Sequence, residues 1–97
     1  MAIRSFGDKI TETFFLHGDA PKKTGWRTVA AIVARKLDMI HYAARIDDLK
    51  APPANRLEKL KGDLVGFHSI RINDQWRTIF KWHPSGPTDV KIVDYHK

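Results

Sequence analysis

Residues 66–82 read GFHSIRINDQWRTIFKW, and the architecture is set by this stretch. Side chains alternate on either side of Asn73-Asp74: His68, Ile70 and Ile72 share one parity before it, and Trp76, Thr78, Phe80 and Trp82 share one parity after it. A period of two belongs to strands with one buried face. Asn and Asp tolerate left-handed backbone and bond their own main chain, so Asn73-Asp74 predicts a tight two-residue hairpin connection. The opposite parity, with Phe67, Ser69, Arg71, Gln75, Arg77, Ile79 and Lys81, then looks outward or into a cleft, and it carries the cations. The hairpin is both core and candidate site.

Working outward, His83-Pro84-Ser85-Gly86-Pro87 reads as a turn and 90–93 as a last strand. Upstream, 57–60 reads as a short extended run, followed by a turn at Lys61-Gly62-Asp63. Ala51-Pro52-Pro53 ends whatever helix precedes it, because proline lacks the amide donor and drives the residue before it toward extended geometry. Before that, Trp26, Val29, Ile32, Val33, Leu37, Ile40 and Ala44 recur at three- and four-residue spacing, the signature of an amphipathic helix. Its expected solvent face is Arg27, Arg35, Lys36, Asp38 and Arg45. A shorter helix carries Ile10, Phe14 and Phe15, capped by Asp8 and stopped at Gly18, after a first strand bracketed by Ile3 and Phe6. Helices first and antiparallel strands afterwards predict an α+β domain, with two N-terminal helices packed on a mainly antiparallel sheet of four to five strands.

The chain has 97 residues, enough for one core and therefore one domain, 1–97. Lys and Arg number 17 against 11 Asp and Glu, a net charge of +6, and each half of the chain carries +3. The positive field belongs to the folded body and favours polyanionic partners such as nucleic acid, an acidic protein or an anionic membrane surface. The absence of cysteine excludes disulfides, thiolate catalysis and cysteine-ligated zinc. The N-terminus lacks the pattern of a signal peptide and no apolar run is long enough to span a bilayer, so the expectation is a soluble, cytoplasmic protein with no membrane association.

The second half concentrates Arg56, Glu58, Lys59, Lys61, His68, Arg71, Arg77, Lys81, Asp94, Tyr95 and His96. Arg77 falls on a strand with a strand on either side, where a cation either points into a cleft or pairs with a carboxylate, here Glu58 or Asp94. Asp94-Tyr95-His96 follows the last apolar residue of the last strand and brings a phenol and an imidazole to the sheet edge, where the imidazole is either a general acid or base or a frayed end. His17, His41 and His83 read as structural, and His68, on the parity of Ile70 and Ile72, as an inward histidine. Trp76 and Trp82 share the parity of Phe80 and read as core, with base stacking as the competing use. No HExxH, EF-hand loop, Walker glycine loop or paired-carboxylate spacing is present, so neither a metal nor a cofactor is expected.

Four ordered motifs carry a family resemblance: Pro52-Pro53-Ala54-Asn55-Arg56-Leu57-Glu58, Lys61-Gly62-Asp63, the stretch from Gly66 to Phe80, and Val93-Asp94-Tyr95-His96, together with Ile3-Arg4-Ser5-Phe6 at the start. Together they resemble the HigB toxins of bacterial type II toxin-antitoxin systems, a branch of the RelE superfamily. The resemblance implies a RelE-like fold and a small basic ribonuclease that enters the A site of the 70S ribosome, cuts mRNA there without a metal, and is neutralised by a HigA-like, DNA-binding antitoxin. Carried over position by position, it implies Lys61 as the catalytic lysine, Arg77 as the phosphate-binding arginine, and Tyr95 and His96 as the terminal tyrosine and histidine. Where some members have a histidine three residues before that lysine, this chain has Glu58, leaving His96 or Glu58 as the general base. Arg56, Lys59, Arg71 and Lys81 are the expected RNA-binding cations around them. Two other readings remain open: a poison of the same fold acting on DNA gyrase, as ParE-type toxins do, and a basic RNA-binding module without activity.

Overall fold

The computed structural model describes residues 2–95. Helix α1 spans Lys9–His17 and begins as its sequence dictates: the Asp8 carboxylate accepts the Thr11 N–H at 2.8 Å. It ends at Gly18, whose φ of 78° lies in the left-handed region and whose N–H returns to the Phe14 carbonyl at 2.7 Å. Helix α2 spans Ala30–Tyr42. The apolar periodicity from Trp26 predicts an earlier start, but Gly25–Val29 forms a 3-10 turn that seats Trp26 edge-on against Phe14, ring centroids 4.9 Å apart. Three-residue spacing suits both helix types, so periodicity alone does not separate them.

The sheet is a four-stranded antiparallel meander of β1 (Glu58–Lys59), β2 (His68–Arg71), β3 (Trp76–His83) and β4 (Gly86–Asp94), in that spatial order. Two strands differ in length from expectation. The last begins at Gly86, because a tight turn through Pro84 and Ser85 pairs His83 directly with Gly86, and β1 keeps only two residues. The first strand expected at Ile3 to Phe6 is a strap: Arg4 donates to Pro87, Gly7 to Val90 and Val90 to Ser5, but only Phe6 and Val90 form a bridge, parallel to β4. Between β2 and β3 the connection takes four residues, 72–75, in place of the expected two. Asn73 explains the difference, since its Oδ1 accepts the N–H of both Gln75 (2.9 Å) and Trp76 (2.8 Å) and so holds a wider turn.

One face of the sheet carries Ile70, Ile72, Phe80, Val90 and Ile92 into a core shared with Phe14, Trp26, Val33, Leu37, Ile40 and Leu49. Each such side chain contributes roughly 1.5–3 kcal/mol when fully buried. Trp76 and Trp82 pack against this core half-buried, and His68 stacks on Phe80 with centroids 5.9 Å apart, as their parity requires. His41 is structural, its Nδ1 accepting the Ile3 N–H at 3.2 Å.

The opposite face of the sheet, expected to look outward or into a cleft, borders a cleft: Arg71 and Arg77 line it, and Ser69 and Ile79 are fully buried on this face and Leu60 nearly so, which lowers the polarity around Arg77. One expectation about exposure is corrected. Lys36, assigned from the helical wheel to the solvent face of α2, is buried, and its ammonium meets Asn55 Oδ1 at 2.6 Å. Among the described residues no helix is long and apolar enough to cross a membrane.

Candidate functional site

The register of the meander builds the site. Glu58 pairs with Ser69, and Arg71 with Arg77, which in turn pairs with Val93, so Glu58, Ser69 and Arg77 stand on the sheet face turned away from the helices. Tyr95 follows β4 and donates its N–H to the Gln75 carbonyl at 2.5 Å, which draws it beside the start of β3. Glu58, Arg77 and Tyr95, with Arg56, Arg71, Asn73 and Asp74, line a cleft of about 370 Å³, while Ser69 is fully buried.

Arg77 is the centre of this cleft. Its Nη1 donates to Glu58 Oε1 at 2.8 Å, to Ser69 Oγ, and at 3.4 Å to the Arg56 carbonyl. Its guanidinium carbon lies 5.2 Å from the centre of the Tyr95 ring, within range of a cation–π contact. Of the two arrangements open to Arg77 in the sequence, ion pair and cleft cation, it has both: the pair is with Glu58, and the side chain lines the cleft. A guanidinium keeps its charge at any working pH and presents several donors in a fixed plane, which suits a phosphate oxygen. At the rim, Arg71 Nη2 pairs with Asp74 Oδ1 at 2.5 Å. Gln75 Nε2 donates to Asp94 Oδ2 at 3.0 Å, tying the end of β4 to the turn.

The expected residues separate into two groups. Arg56, Glu58, Arg71, Arg77 and Tyr95 converge on the cleft. Lys61 is exposed one residue beyond Leu60, preceding a 3-10 turn at Gly62–Leu64, and does not line it. Lys59 borders a separate hollow with Leu57, Lys50 and His68. Lys81 sits over the Phe67 ring at 5.1 Å and 4.0 Å from the Asp89 carboxylate. His96 lies outside the described residues. Among the described residues no three His, Asp or Glu side chains are gathered as a metal site would require. A larger hollow of about 520 Å³ at the end of α1 is lined by Asp19, Lys22 and Arg27 among others.

Sequence reasoning passed over Ser69, Asn73 and Asp74. Ser69 was legible in principle, since it shares a parity with Arg77 and Arg71 and a small hydroxyl beside a strand cation is a natural acceptor.

Comparison with known proteins agrees with this architecture. Two solved structures share the fold over the full length of both chains: the YoeB-YefM complex from Staphylococcus aureus, with a TM-score of 0.58 at 15% identity, and a YoeB/ParE toxin from Agrobacterium tumefaciens, with 0.52 at 20%. In sequence, the chain is 39% identical over 77 residues to Toxin HigB-1 of Vibrio cholerae, covering 79% of this chain and 80% of that one. It is 40% identical over 77 residues to an uncharacterized protein of Haemophilus influenzae, covering 79% and 75%. The model of the RelE-like toxin of the type II toxin-antitoxin system HigB matches residues 4–96, so the chain belongs to the HigB-like family of RelE-like toxins.

Proposed function

We propose that the protein is an mRNA endoribonuclease that works on the ribosome, cuts message in the A site without a metal, and thereby stops translation. One juxtaposition supports this reading: Arg77, held by Glu58, Ser69 and the Arg56 carbonyl, lies against the Tyr95 ring in a cleft bordered by two further arginines.

RNA cleavage of this kind joins the 2′-oxygen to the neighbouring phosphorus and breaks the bond from phosphorus to the 5′-oxygen. A base takes the 2′-hydroxyl proton, cations stabilise the charge on the phosphorane, and an acid protonates the leaving oxygen. In this assignment Arg77 carries the phosphorane charge, Lys61 assists from the loop after β1, Tyr95 orients or stacks on a splayed base, and Glu58 or His96 is the base. Arg56, Lys59, Arg71 and Lys81 hold the RNA and ribosomal phosphates through salt-sensitive contacts. The partner that restrains the toxin is a HigA-like antitoxin, a role suggested by the family and by the solved complex of its structural relative with YefM.

The test is primer extension on a defined mRNA with purified ribosomes, using the wild type and the Arg77→Ala and His96→Ala variants. Cuts within A-site codons that need the ribosome and disappear in the variants are expected. Growth arrest without cleavage would move the assignment to a binding poison such as the gyrase-directed toxins.

A further inference from the structure

Lys36 and Asn55 lie behind the cleft wall and belong to none of the roles above. Asn55 is fully buried and sits at the end of a 3-10 turn, Pro53–Asn55. Its Oδ1 accepts the Lys36 ammonium at 2.6 Å, and its Nδ2 donates to the Leu49 carbonyl at 3.2 Å and the Ala51 carbonyl at 3.3 Å. One carboxamide therefore joins α2 to the chain on both sides of Lys50. No carboxylate pairs with Lys36 among the described residues. Burial, and behind it the like charges of Arg35 and Arg71, pushes its pKa below the ordinary lysine value.

For stability alone this is a costly arrangement, since a buried ammonium facing a neutral amide is held less well than an apolar pair of the same volume. The cost is concentrated next to the site. The residue after Asn55 is Arg56, whose φ of 47° and ψ of 53° place a non-glycine residue in the left-handed region. That conformation aims the Arg56 carbonyl at Arg77 Nη1, and two residues later Glu58 meets the same nitrogen.

We propose that Lys36 and Asn55 are positioning residues for this cleft: by fixing Asn55 between α2 and the 49–51 carbonyls they hold Arg56 in its left-handed conformation and seat Glu58 and Arg77. The inference rests on the endoribonuclease reading only for its kinetic readout. Arg56 is one of four cations assigned to the RNA and ribosomal phosphates, and Lys81 is held elsewhere, over the Phe67 ring, so displacement at the cleft should lower the rate of cutting far more than it weakens attachment to the ribosome.

The experiment uses full-length Lys36→Met and Asn55→Ala, with Val33→Ala, a core truncation in α2, as the stability control. Four quantities are measured for each: melting temperature, the single-turnover cleavage constant, ribosome affinity, and the NMR signal of the Arg77 Nε–H group. Misplacement by an ångström costs on the order of a hundredfold. Expected is a loss of at least about tenfold in the cleavage constant, with ribosome affinity within about threefold and a displaced Arg77 signal. Val33→Ala should lower the melting temperature and leave both the constant and the signal in place. If Asn55→Ala does not fold, Lys36→Met, which keeps an unbranched chain of similar length, decides the matter. An unmoved Arg77 signal with wild-type cutting in Lys36→Met or Asn55→Ala would overturn the inference. Absence of cutting by the wild type itself would instead count against the nuclease reading, and the Arg77 signal would still decide whether this pair positions the cleft.

Discussion

Arg77 and Glu58 meet at 2.8 Å although they stand on β3 and β1, so the ion pair spans the whole width of β2. The two partners are unequal: the arginine side chain is 10% exposed and the glutamate 46%. Losing the glutamate leaves a nearly buried cation short of an acceptor, whereas losing the arginine leaves a carboxylate that water reaches. Glu58→Gln, which keeps a neutral acceptor, should therefore cost about 1 kcal/mol of stability. Arg77→Lys keeps the charge but not the planar fork, and should lower single-turnover cleavage by about a hundredfold with the fold intact. Thermal melts and ribosome-bound cleavage measured on both variants check this, and a lysine variant as fast as the wild type would show that charge alone suffices at position 77.

Ser69 gives a sharper separation of stability from chemistry. It is fully buried, and its hydroxyl accepts from Arg77 Nη1. Ser69→Ala removes that acceptor without opening space for water, so the desolvated guanidinium loses a partner at about 1–3 kcal/mol. For a domain of this size each kcal/mol lowers the melting temperature by roughly 4–8 °C. Calorimetry on Ser69→Ala and on Ser69→Thr, which restores a hydroxyl, should show a deficit in the first that is partly recovered in the second.

The hairpin and both caps of α1 were legible because each depends on parity or local chemistry within a few residues, whereas Arg77 had Glu58 or Asp94 as possible partners and the ion pair formed is with Glu58, 19 residues away. Period two placed Ile70 and Phe80 on the core face, and Asp8 and Gly18 bracketed α1 by side-chain and backbone preference. What could not be read depends on depth, and depth comes from elements far along the chain. Lys36 falls on the polar side of the helical wheel, yet the segment through Asn55 covers it. Asn55, following two prolines, has the composition of an exposed loop, while its carboxamide is the junction of three segments. Lys61, matched by motif, is left outside the cleft because the chain turns at Gly62–Leu64 immediately after it.

His68 predicts a pH dependence. Burial, and secondarily the Lys59 ammonium, lowers its pKa below the ordinary 6.5. In the unfolded chain the imidazole takes up its proton near 6.5, and in the folded chain only at lower pH. Between those two values the unfolded state binds more protons, so stability rises with pH there. The contribution is complete above 6.5 and is lost as pH falls from 6.5 through the lowered folded value. Melting temperatures of the wild type should therefore decline between pH 7 and 5 more steeply than those of His68→Phe, which retains a ring against Phe80. Parallel curves would mean that the imidazole titrates alike in both states.

Gly25 predicts a clash that reaches the site. A Cβ there would lie 2.6 Å from Trp76 Cζ2 and 2.8 Å from Cη2, well inside contact distance. Replacing a glycine in a helical turn by alanine ordinarily stabilises by about 0.4–1 kcal/mol through the unfolded chain. Overpacking costs about 1–3 kcal/mol, and here the obstacle is a ring fixed between the 3-10 turn and the core, so the clash should prevail. Gly25→Ala is expected to lower the melting temperature, and Trp76→Phe, which removes both offending carbons, to erase most of that effect in a double-mutant cycle. Trp76 immediately precedes Arg77 and pairs with Asp94 on the adjacent strand β4. A ring pushed from its seat therefore displaces the strand that carries the guanidinium, and Gly25→Ala should also slow cleavage. Strictly additive melting temperatures in the cycle would show that the indole yields freely, and cleavage should then be unaffected.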